Sequence, residues 1–234
     1  MTASGWSRSV AGIATSRRWR IAFLAAALCA TPWAPLACGQ RVLRNHFDDG
    51  AEGWQIYDYD GGHAGNVFYP VTWGRTGGVD DSGYVWADDS RWRIDTPETP
   101  NSILAFIFSP SWVKGDPLDL RDAKVSVYLR GDGLDLKWAK VYFWAFDQEI
   151  GTRWHYTAEP LEVTEGAWGK KLTFTLRNDE KAWSRSWARD PGQPASLEQV
   201  LSDTDGYGFS FVGFDGEVTG KFSMDELDIQ LREN

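Results

Sequence analysis

The feature that most constrains the fold is an alternation of apolar and polar side chains, in short runs separated by Gly, Asp and Pro. In the segment 136–146 (LKWAKVYFWAF), every second side chain suits a protein core, namely Ala139, Val141, Phe143 and Ala145. Because the side chains of a strand alternate between two faces, the residues between them point the other way. A helical period of 3.6 residues is almost absent. The sequence therefore predicts an antiparallel all-β domain folded as a β-sandwich.

The predicted secondary structure consists of many strands and one short helix. The helix lies near 196–202, with Ser196 as its N-cap. A change of phase between Met224 and Leu227 predicts a bulge at Asp225-Glu226. The predicted strands lie near 41–47, 53–58, 66–73, 83–87, 102–109, 124–130, 136–146, 151–157, 169–176, 207–214 and 220–231.

The first 39 residues have the features of a secretory signal peptide. Arginines precede the apolar run Ile21–Ala30, which is too short to span a bilayer, and small residues follow it. We therefore expect a cleaved signal at 1–39 and a single domain at 40–234, exported to the periplasm or the medium by a Gram-negative-type route. Both cysteines, Cys29 and Cys38, lie in the signal, so the domain has no disulfide. Lipoprotein anchoring through Cys38 is the alternative.

Charge and aromatic content narrow the expected partners. The chain carries 33 Asp and Glu against 24 Lys and Arg, a net charge of −9, and removal of the signal arginines makes it more negative. Such a surface repels nucleic acid, and no later segment is apolar enough to span a membrane. Neutral glycans, metal cations and basic proteins remain compatible partners. Most of the 14 tryptophans follow the signal, more than one core of this size needs, so some should be exposed.

Several motifs, taken in order, resemble those of a known fold family. The opening HFDDGAEGW (46–54) and the closing GKFSMDELDIQL (220–231) resemble the first and last strands of galactose-binding-like jelly rolls, which include many carbohydrate-binding modules. Between them, GGVDDSGYVWADD, FIFSPSWVKGD and SLEQVLSDTDGYGFSFVGF follow the order seen in laminin IV type A (laminin B) domains. The resemblance implies a jelly-roll sandwich in an extracellular protein.

The resemblance leaves three functions open, because one fold serves several. The first hypothesis is a non-catalytic module that binds a glycan or polysaccharide. The second is a laminin-B-like adhesive or envelope-structural domain that contacts another protein. The third is a glycoside hydrolase, which would need two carboxylates on opposite walls of a cleft. No spacing of carboxylates, histidines or a nucleophile indicates catalysis, so we expect no enzyme activity.

The first candidate site is an aromatic row on the strand at 136–146. Exposed aromatic rings can stack on sugar rings, and nearby polar side chains can bind the hydroxyls. The predicted row consists of Trp138, Lys140, Tyr142 and Trp144, joined by Tyr128 and Arg130 if the strands at 124–130 and 136–146 pair as a meander. The alternative is that a loop or the second sheet covers the row. An unpaired buried Lys140 would be costly, which argues against that alternative.

Two further candidate sites complete the prediction. Trp154, Trp183 and Trp187 form a clamp above the sheet, or one of them plugs the end of the sandwich. The family resemblance also implies a structural Ca²⁺ between the first and last strands, with Asp48, Asp49 and Asp225 as ligands. The alternative for Asp48-Asp49-Gly50 is a simple turn closed by the Asp side chains.

Overall fold

A computed structural model describes residues 41–58, 67–95 and 100–232, and the predicted signal peptide lies outside these residues. The described residues form fourteen β-strands and one α-helix. In chain order these are β1 (Val42–Asn45), β2 (Gln55–Asp58), β3 (Val67–Pro70), β4 (Thr72–Gly74), β5 (Tyr84–Asp88), β6 (Ser102–Phe108), β7 (Lys124–Asp135), β8 (Lys140–Asp147), β9 (Thr152–Tyr156), β10 (Thr164–Glu165), β11 (Leu172–Thr175), β12 (Trp183–Ala188), α1 (Leu197–Ser202), β13 (Gly206–Val212) and β14 (Thr219–Gln230).

The strands form two sheets of seven that face each other. Sheet 1 has the order β10-β7-β14-β5-β4, with β1 also paired to β14 and β11 also paired to β7. Sheet 2 has the order β12-β9-β8-β13-β6-β2-β3. Every pairing is antiparallel except that of β10 with β7. The predicted all-β sandwich is confirmed.

The alternation of side chains along β8 is as the sequence predicts. Val141, Phe143 and Ala145 are buried in the core between the sheets, together with Ala139 just before the strand. The side chains between them therefore lie on the opposite side, which we call the outer face of sheet 2. This assignment fixes which residues of the neighbouring strands share that face.

Aromatic side chains from both sheets meet in the core. Phe222 of sheet 1 stacks on Phe106 of sheet 2, with ring centroids 5.0 Å apart, and meets Phe211 edge-on at 5.2 Å. Trp54 packs against Phe108 at 5.4 Å and is almost fully buried. The first signature motif therefore supplies a core residue.

Two irregularities shape the sheets. The pairing of β14 with β7 shifts between Asp225 and Asp228, and Glu226 has a φ of 45°, which confirms the predicted bulge. In sheet 2, the pairing of β13 with β6 shifts after Phe209. A Cβ at the neighbouring Gly208 would lie 2.0 Å from the carbonyl oxygen of Phe106, so only glycine fits there.

The helix is confirmed, whereas two connections differ from expectation. Ser196 caps α1 in a capping box with Gln199. The segment 183–188, predicted to be a loop, is strand β12 at an edge of sheet 2. The strands β7 and β8 belong to different sheets, so the meander that would bring Tyr128 and Arg130 to the β8 row does not form. The turn between them contains two consecutive left-handed residues, Lys137 and Trp138.

Among the described residues, no helix has the length and apolarity needed to cross a membrane.

We predict that Phe222→Ala lowers the free energy of unfolding by about 3–5 kcal/mol, because it leaves a cavity between the two sheets. Urea denaturation followed by tryptophan fluorescence measures the change. Thr173→Ala, at an exposed position of β11, is the control and should change stability little. Equal midpoints for the two variants would contradict this account of the core.

Candidate functional site

A row of aromatic side chains crosses the outer face of sheet 2 from one edge strand to the other. Tyr57 of β2 contacts Phe68 of β3 at 5.4 Å, and Phe68 contacts Trp112 at 5.2 Å. At the other edge, Phe146 of β8 contacts Trp187 of β12 at 6.1 Å. We call this row the aromatic stripe; its members are Trp112, Phe68, Tyr57, Trp144, Phe146 and Trp187.

The centre of the stripe is a small apolar cluster, separate from the main core. Trp144 packs there with Tyr57, Leu104 and Ile107, and Phe146 lies against them. Gly208 lies between Trp144 and Ile107 in the strand register and contributes no side chain. Because Gly208 has no side chain, the side chains of Trp144 and Ile107 on the two neighbouring strands can pack together over it.

Two ring nitrogens on this face have no hydrogen-bond partner among the described residues. They are Nε1 of Trp144 and Nε2 of His155, and both are buried. Trp144 and His155 are directly opposite each other on β8 and β9. An unsatisfied buried polar atom costs about 1–3 kcal/mol, so a neighbouring pair calls for an explanation.

His155 is neutral under ordinary conditions. Burial lowers the pKa of His155 well below its usual value, and the nearby positive charge of Arg153 lowers it further. A neutral imidazole has one donor nitrogen and one acceptor nitrogen. The N–H of Trp144 is a fixed donor next to this imidazole, and both side chains are only 1% exposed.

An ion pair lies over the same face. The guanidinium of Arg153, on β9 beside His155, pairs with the carboxylate of Asp95, and these side chains are only 6% and 7% exposed. Nε of Arg153 also donates to Oγ of Ser186 at 3.0 Å. In the register, Arg153 lies between Phe146 and Trp187, so it belongs to the stripe's exposed end.

The contacts of Asp95 show that this face is concave. Its carboxylate also accepts a hydrogen bond from Ser102 Oγ at 3.4 Å, and its N–H donates to the Ser102 carbonyl. Ser102 of β6 is opposite Val212 of β13, whereas Arg153 of β9 aligns through β8 with Gly206 of β13. Val212 and Gly206 are about 20 Å apart in an extended strand. A single carboxylate can contact both Ser102 and Arg153 only if the sheet curves toward Asp95. Asp95 therefore bridges the start of β6 and the Arg153 end of the stripe.

The predicted row on β8 is only partly as expected. Tyr142 lies on the outer face and is half-buried, and Lys140 is exposed at the start of the strand. Trp138 is 83% exposed but lies in the turn before β8 and not in the row. Trp144 has the predicted orientation, but the expectation that it is exposed is wrong: it is 1% exposed and packs within the small apolar cluster.

The predicted clamp is wrong for two of its three tryptophans. Trp183 is buried in the main core, where its Nε1 donates to the Arg177 carbonyl at 2.8 Å. Trp154 points inward and packs against the same core. Trp187 is 40% exposed at the end of the stripe. In β9, alternation turns Trp154 away from the face that carries Arg153 and His155. In β12, the register shift between Arg185 and Trp187 places Trp183 and Trp187 on opposite faces.

Tyr128 and Arg130 lie on sheet 1, far in the topology from the β8 row. On the outer face of that sheet, cations lie over aromatic rings: Arg130 over Trp168 at 5.8 Å and Lys171 over Tyr128 at 5.7 Å. Arg130 also pairs with Asp132 at 2.6 Å. These groups bind one another, so they do not extend the aromatic stripe.

The residues present do not fit the implied Ca²⁺ site. Asp225 is buried, and its carboxylate accepts hydrogen bonds from Val79 N at 2.7 Å, Ser82 Oγ at 2.9 Å and Glu226 N at 2.6 Å. Asp48 and Asp49 are exposed. Among the described residues, no three His, Cys, Asp or Glu side chains come together as metal ligands. Calcium binding by Asp48, Asp49 and Asp225 stays a prediction without structural support.

Sequence reasoning missed several members of this site. Tyr57, Phe68, Trp112 and Phe146 come from separate strands or turns, and only the strand order brings them together. The alternation within Thr152–Tyr156 could have indicated Arg153, because it places Arg153 and His155 on one face. Asp95 comes from an irregular segment, for which the sequence offers no such signal.

Comparison with known proteins identifies similar folds. No protein-family model and no curated protein matches the chain. The structure is similar to the xylan-binding module CBM15, with 13% identity, a TM-score of 0.42 and coverage of 84% of this chain and 99% of that module. It is similar to the family 11 carbohydrate-binding module of a cellulosomal cellulase of Clostridium thermocellum, at 13% identity, a TM-score of 0.46 and coverage of 84% and 97%.

A third similar structure is the L4b domain of human laminin alpha-2, at 9% identity, a TM-score of 0.43 and coverage of 84% of this chain and 100% of that domain. These similar structures are carbohydrate-binding modules and a laminin domain, the two groups whose motifs the sequence resembles. Function must be argued from the site itself.

We predict that neither EDTA nor millimolar Ca²⁺ changes the melting temperature, because hydrogen-bond donors already satisfy the carboxylate of Asp225. Differential scanning fluorimetry of the metal-stripped protein measures this. A clear rise in melting temperature with Ca²⁺ that is lost in Asp225→Asn would contradict our interpretation and support the implied metal site.

We also predict that the protein loses stability as the pH falls from 7 to 5, in part because of His155. The lowered pKa of buried His155 means that the unfolded chain binds a proton near pH 6.5 while the folded chain does not. Unfolding is then favoured by up to about 1.4 kcal/mol per pH unit in this range. Urea denaturation of the parent and of His155→Gln at both pH values tests this. An equally steep loss in His155→Gln would contradict it.

Proposed function

We propose that this protein is a secreted, non-catalytic module that binds a polysaccharide chain on the outer face of sheet 2. The observation that carries the proposal is a neighbouring pair of ring nitrogens, Trp144 Nε1 and His155 Nε2, that have no partner among the described residues and lie within a stripe of aromatic side chains. Both are buried, so a sugar hydroxyl would reach them only by displacing the side chains that cover them; it could then accept from Trp144 and donate to His155.

The aromatic stripe supplies the second requirement for sugar binding. Trp187 at one end and Phe68 with Trp112 at the other are each more than a third exposed, so their ring faces are accessible for stacking. Half-buried Tyr142 of β8 lies between these ends, and exposed Ser184 lies on the same edge strand as Trp187; the hydroxyls of both can bind sugar hydroxyls. Exposed rings at both edges and polar groups between them suit an extended chain better than a small compact ligand.

The distribution of carboxylates supports a role in binding without catalysis. Glycoside hydrolysis uses two carboxyl groups on either side of the scissile bond. The described strand residues on the outer face of sheet 2 include no Asp or Glu, and the nearby Asp95 is paired with Arg153. We infer from the predicted export signal that the module meets its glycan outside the cytoplasm.

We predict that Trp187→Ala weakens polysaccharide binding about tenfold, since loss of one stacking ring costs about 1–2 kcal/mol. Affinity electrophoresis in gels containing xylan, mixed-linkage β-glucan or galactomannan measures the retardation, and isothermal titration with oligosaccharides gives the affinity. Trp73→Ala, a similarly exposed tryptophan on β4 of sheet 1, is the control and should bind like the parent.

Equal weakening by both substitutions would place the site elsewhere. Retardation of the parent by none of the polysaccharides would contradict the proposed function.

A protein-binding role similar to that of laminin-type domains is the second candidate. Two observations favour it: Trp144 is covered, and Val67, Phe68, Trp112 and Val113 form exposed apolar surface at the β3 edge. This role predicts that no polysaccharide retards the protein. The same gels therefore distinguish the two candidates.

A further inference from the structure

Resting on the proposed function, we infer that Asp95 restricts this site to uncharged glycans. Its carboxylate occupies the position beside Arg153 that a carboxylate of an acidic sugar would otherwise take. Asp95 is thus a specificity-determining residue that acts by neutralising the charge of Arg153, a buried cation of the binding face.

Arg153 is held in place independently of Asp95. Its Nε donates to Ser186 Oγ at 3.0 Å, and that hydroxyl is 3.4 Å from the Arg153 carbonyl oxygen. The neighbouring strand β12 therefore fixes the guanidinium even when Asp95 is removed. Once Asp95 is replaced by alanine, the guanidinium of Arg153 would face the space that the carboxylate had occupied.

An arginine in this position would bind an anionic sugar strongly if it were free. Guanidinium groups bind carboxylates through paired, charge-assisted hydrogen bonds, and these are stronger away from water. Arg153 is 6% exposed, and exposed Trp187 beside it provides a stacking surface. A uronic acid stacked on Trp187 would have its carboxylate within reach of this guanidinium.

With Asp95 present, the charges on this part of the face cancel. Arg153 is neutralised by Asp95, and buried His155 is uncharged. Lys140 of β8 is also a cation of this face, but it is exposed to solvent. It lies six residues along β8 from Phe146, which is the residue opposite Arg153. A ligand carboxylate brought next to Asp95 would meet a like charge, and Arg153 would already be paired. The net charge of −9 adds long-range repulsion of polyanions.

The test is affinity electrophoresis in neutral gels (xylan, mixed-linkage β-glucan) and acidic gels (polygalacturonate, alginate), with mobility expressed relative to gels without polysaccharide. We expect neutral gels alone to retard the parent. We expect Asp95→Ala to gain retardation in an acidic gel, and high salt to weaken that new binding. The double variant Asp95→Ala/Arg153→Gln should lose the gain, because the cation is gone.

The matched control is Asp119→Ala, which removes a carboxylate paired with Arg121 elsewhere on the domain and should behave like the parent. Melting curves identify variants that do not fold. If Asp95→Ala does not fold, Asp95→Asn removes the charge with little change of shape and should show the same gain.

The outcomes separate this inference from the proposed function. Retardation of the parent by acidic gels as strong as by neutral gels overturns the inference, whatever the variants do. So does a folded Asp95→Ala or Asp95→Asn variant that binds neutral glycans but gains nothing in acidic gels. Failure of the parent in every neutral gel instead contradicts the proposed function.

Discussion

The two-residue repeat of side chains along the strands of sheet 2 is the constraint on which the rest of the structure depends. On one side it places Val141, Phe143 and Ala145 against the aromatic core shared with sheet 1. The same repeat then forces Trp144, His155 and Arg153 onto the other side, where no second sheet covers them. A sheet that is apolar on both faces is unusual for an antiparallel sandwich, because one face normally meets water. The apolar side chains on the outer face of sheet 2 are therefore a feature that the stability of the fold alone does not require.

The parts of the fold that follow from local pattern could be predicted from the sequence. The alternation in 136–146, the phase change at Asp225-Glu226 and the Ser196 cap each depend on residues close together in the chain, and all three are confirmed. Long-range pairing could not be predicted in this way. The turn at Lys137-Trp138 carries the chain from one sheet to the other, and no residue there indicates which sheet β8 joins. Tyr128 and Arg130 were therefore assigned to the wrong surface.

Burial of individual aromatic residues was equally hard to predict, because it depends on what lies above each ring. Trp183 and Trp187 are four residues apart in the same strand, yet one is in the core and the other exposed, because the strand register shifts between Arg185 and Trp187.

The resemblance to a fold family is more informative about the fold than about the chemistry of the site. The last-strand acid, Asp225, is present, but it binds the backbone of the 79–82 segment; the acid of the first motif that is engaged is Glu52, which accepts from Phe47 N at 2.8 Å.

The open edge formed by β3 has a consequence for the behaviour of the protein in solution. Among the described residues, this four-residue strand ends sheet 2 and pairs only with β2, and it carries exposed Val67 and Phe68. Unpaired edges of this kind are templates for intermolecular strand addition and aggregation. The short length of β3 and the mutual repulsion of negatively charged molecules, with a net charge of −9, oppose that process.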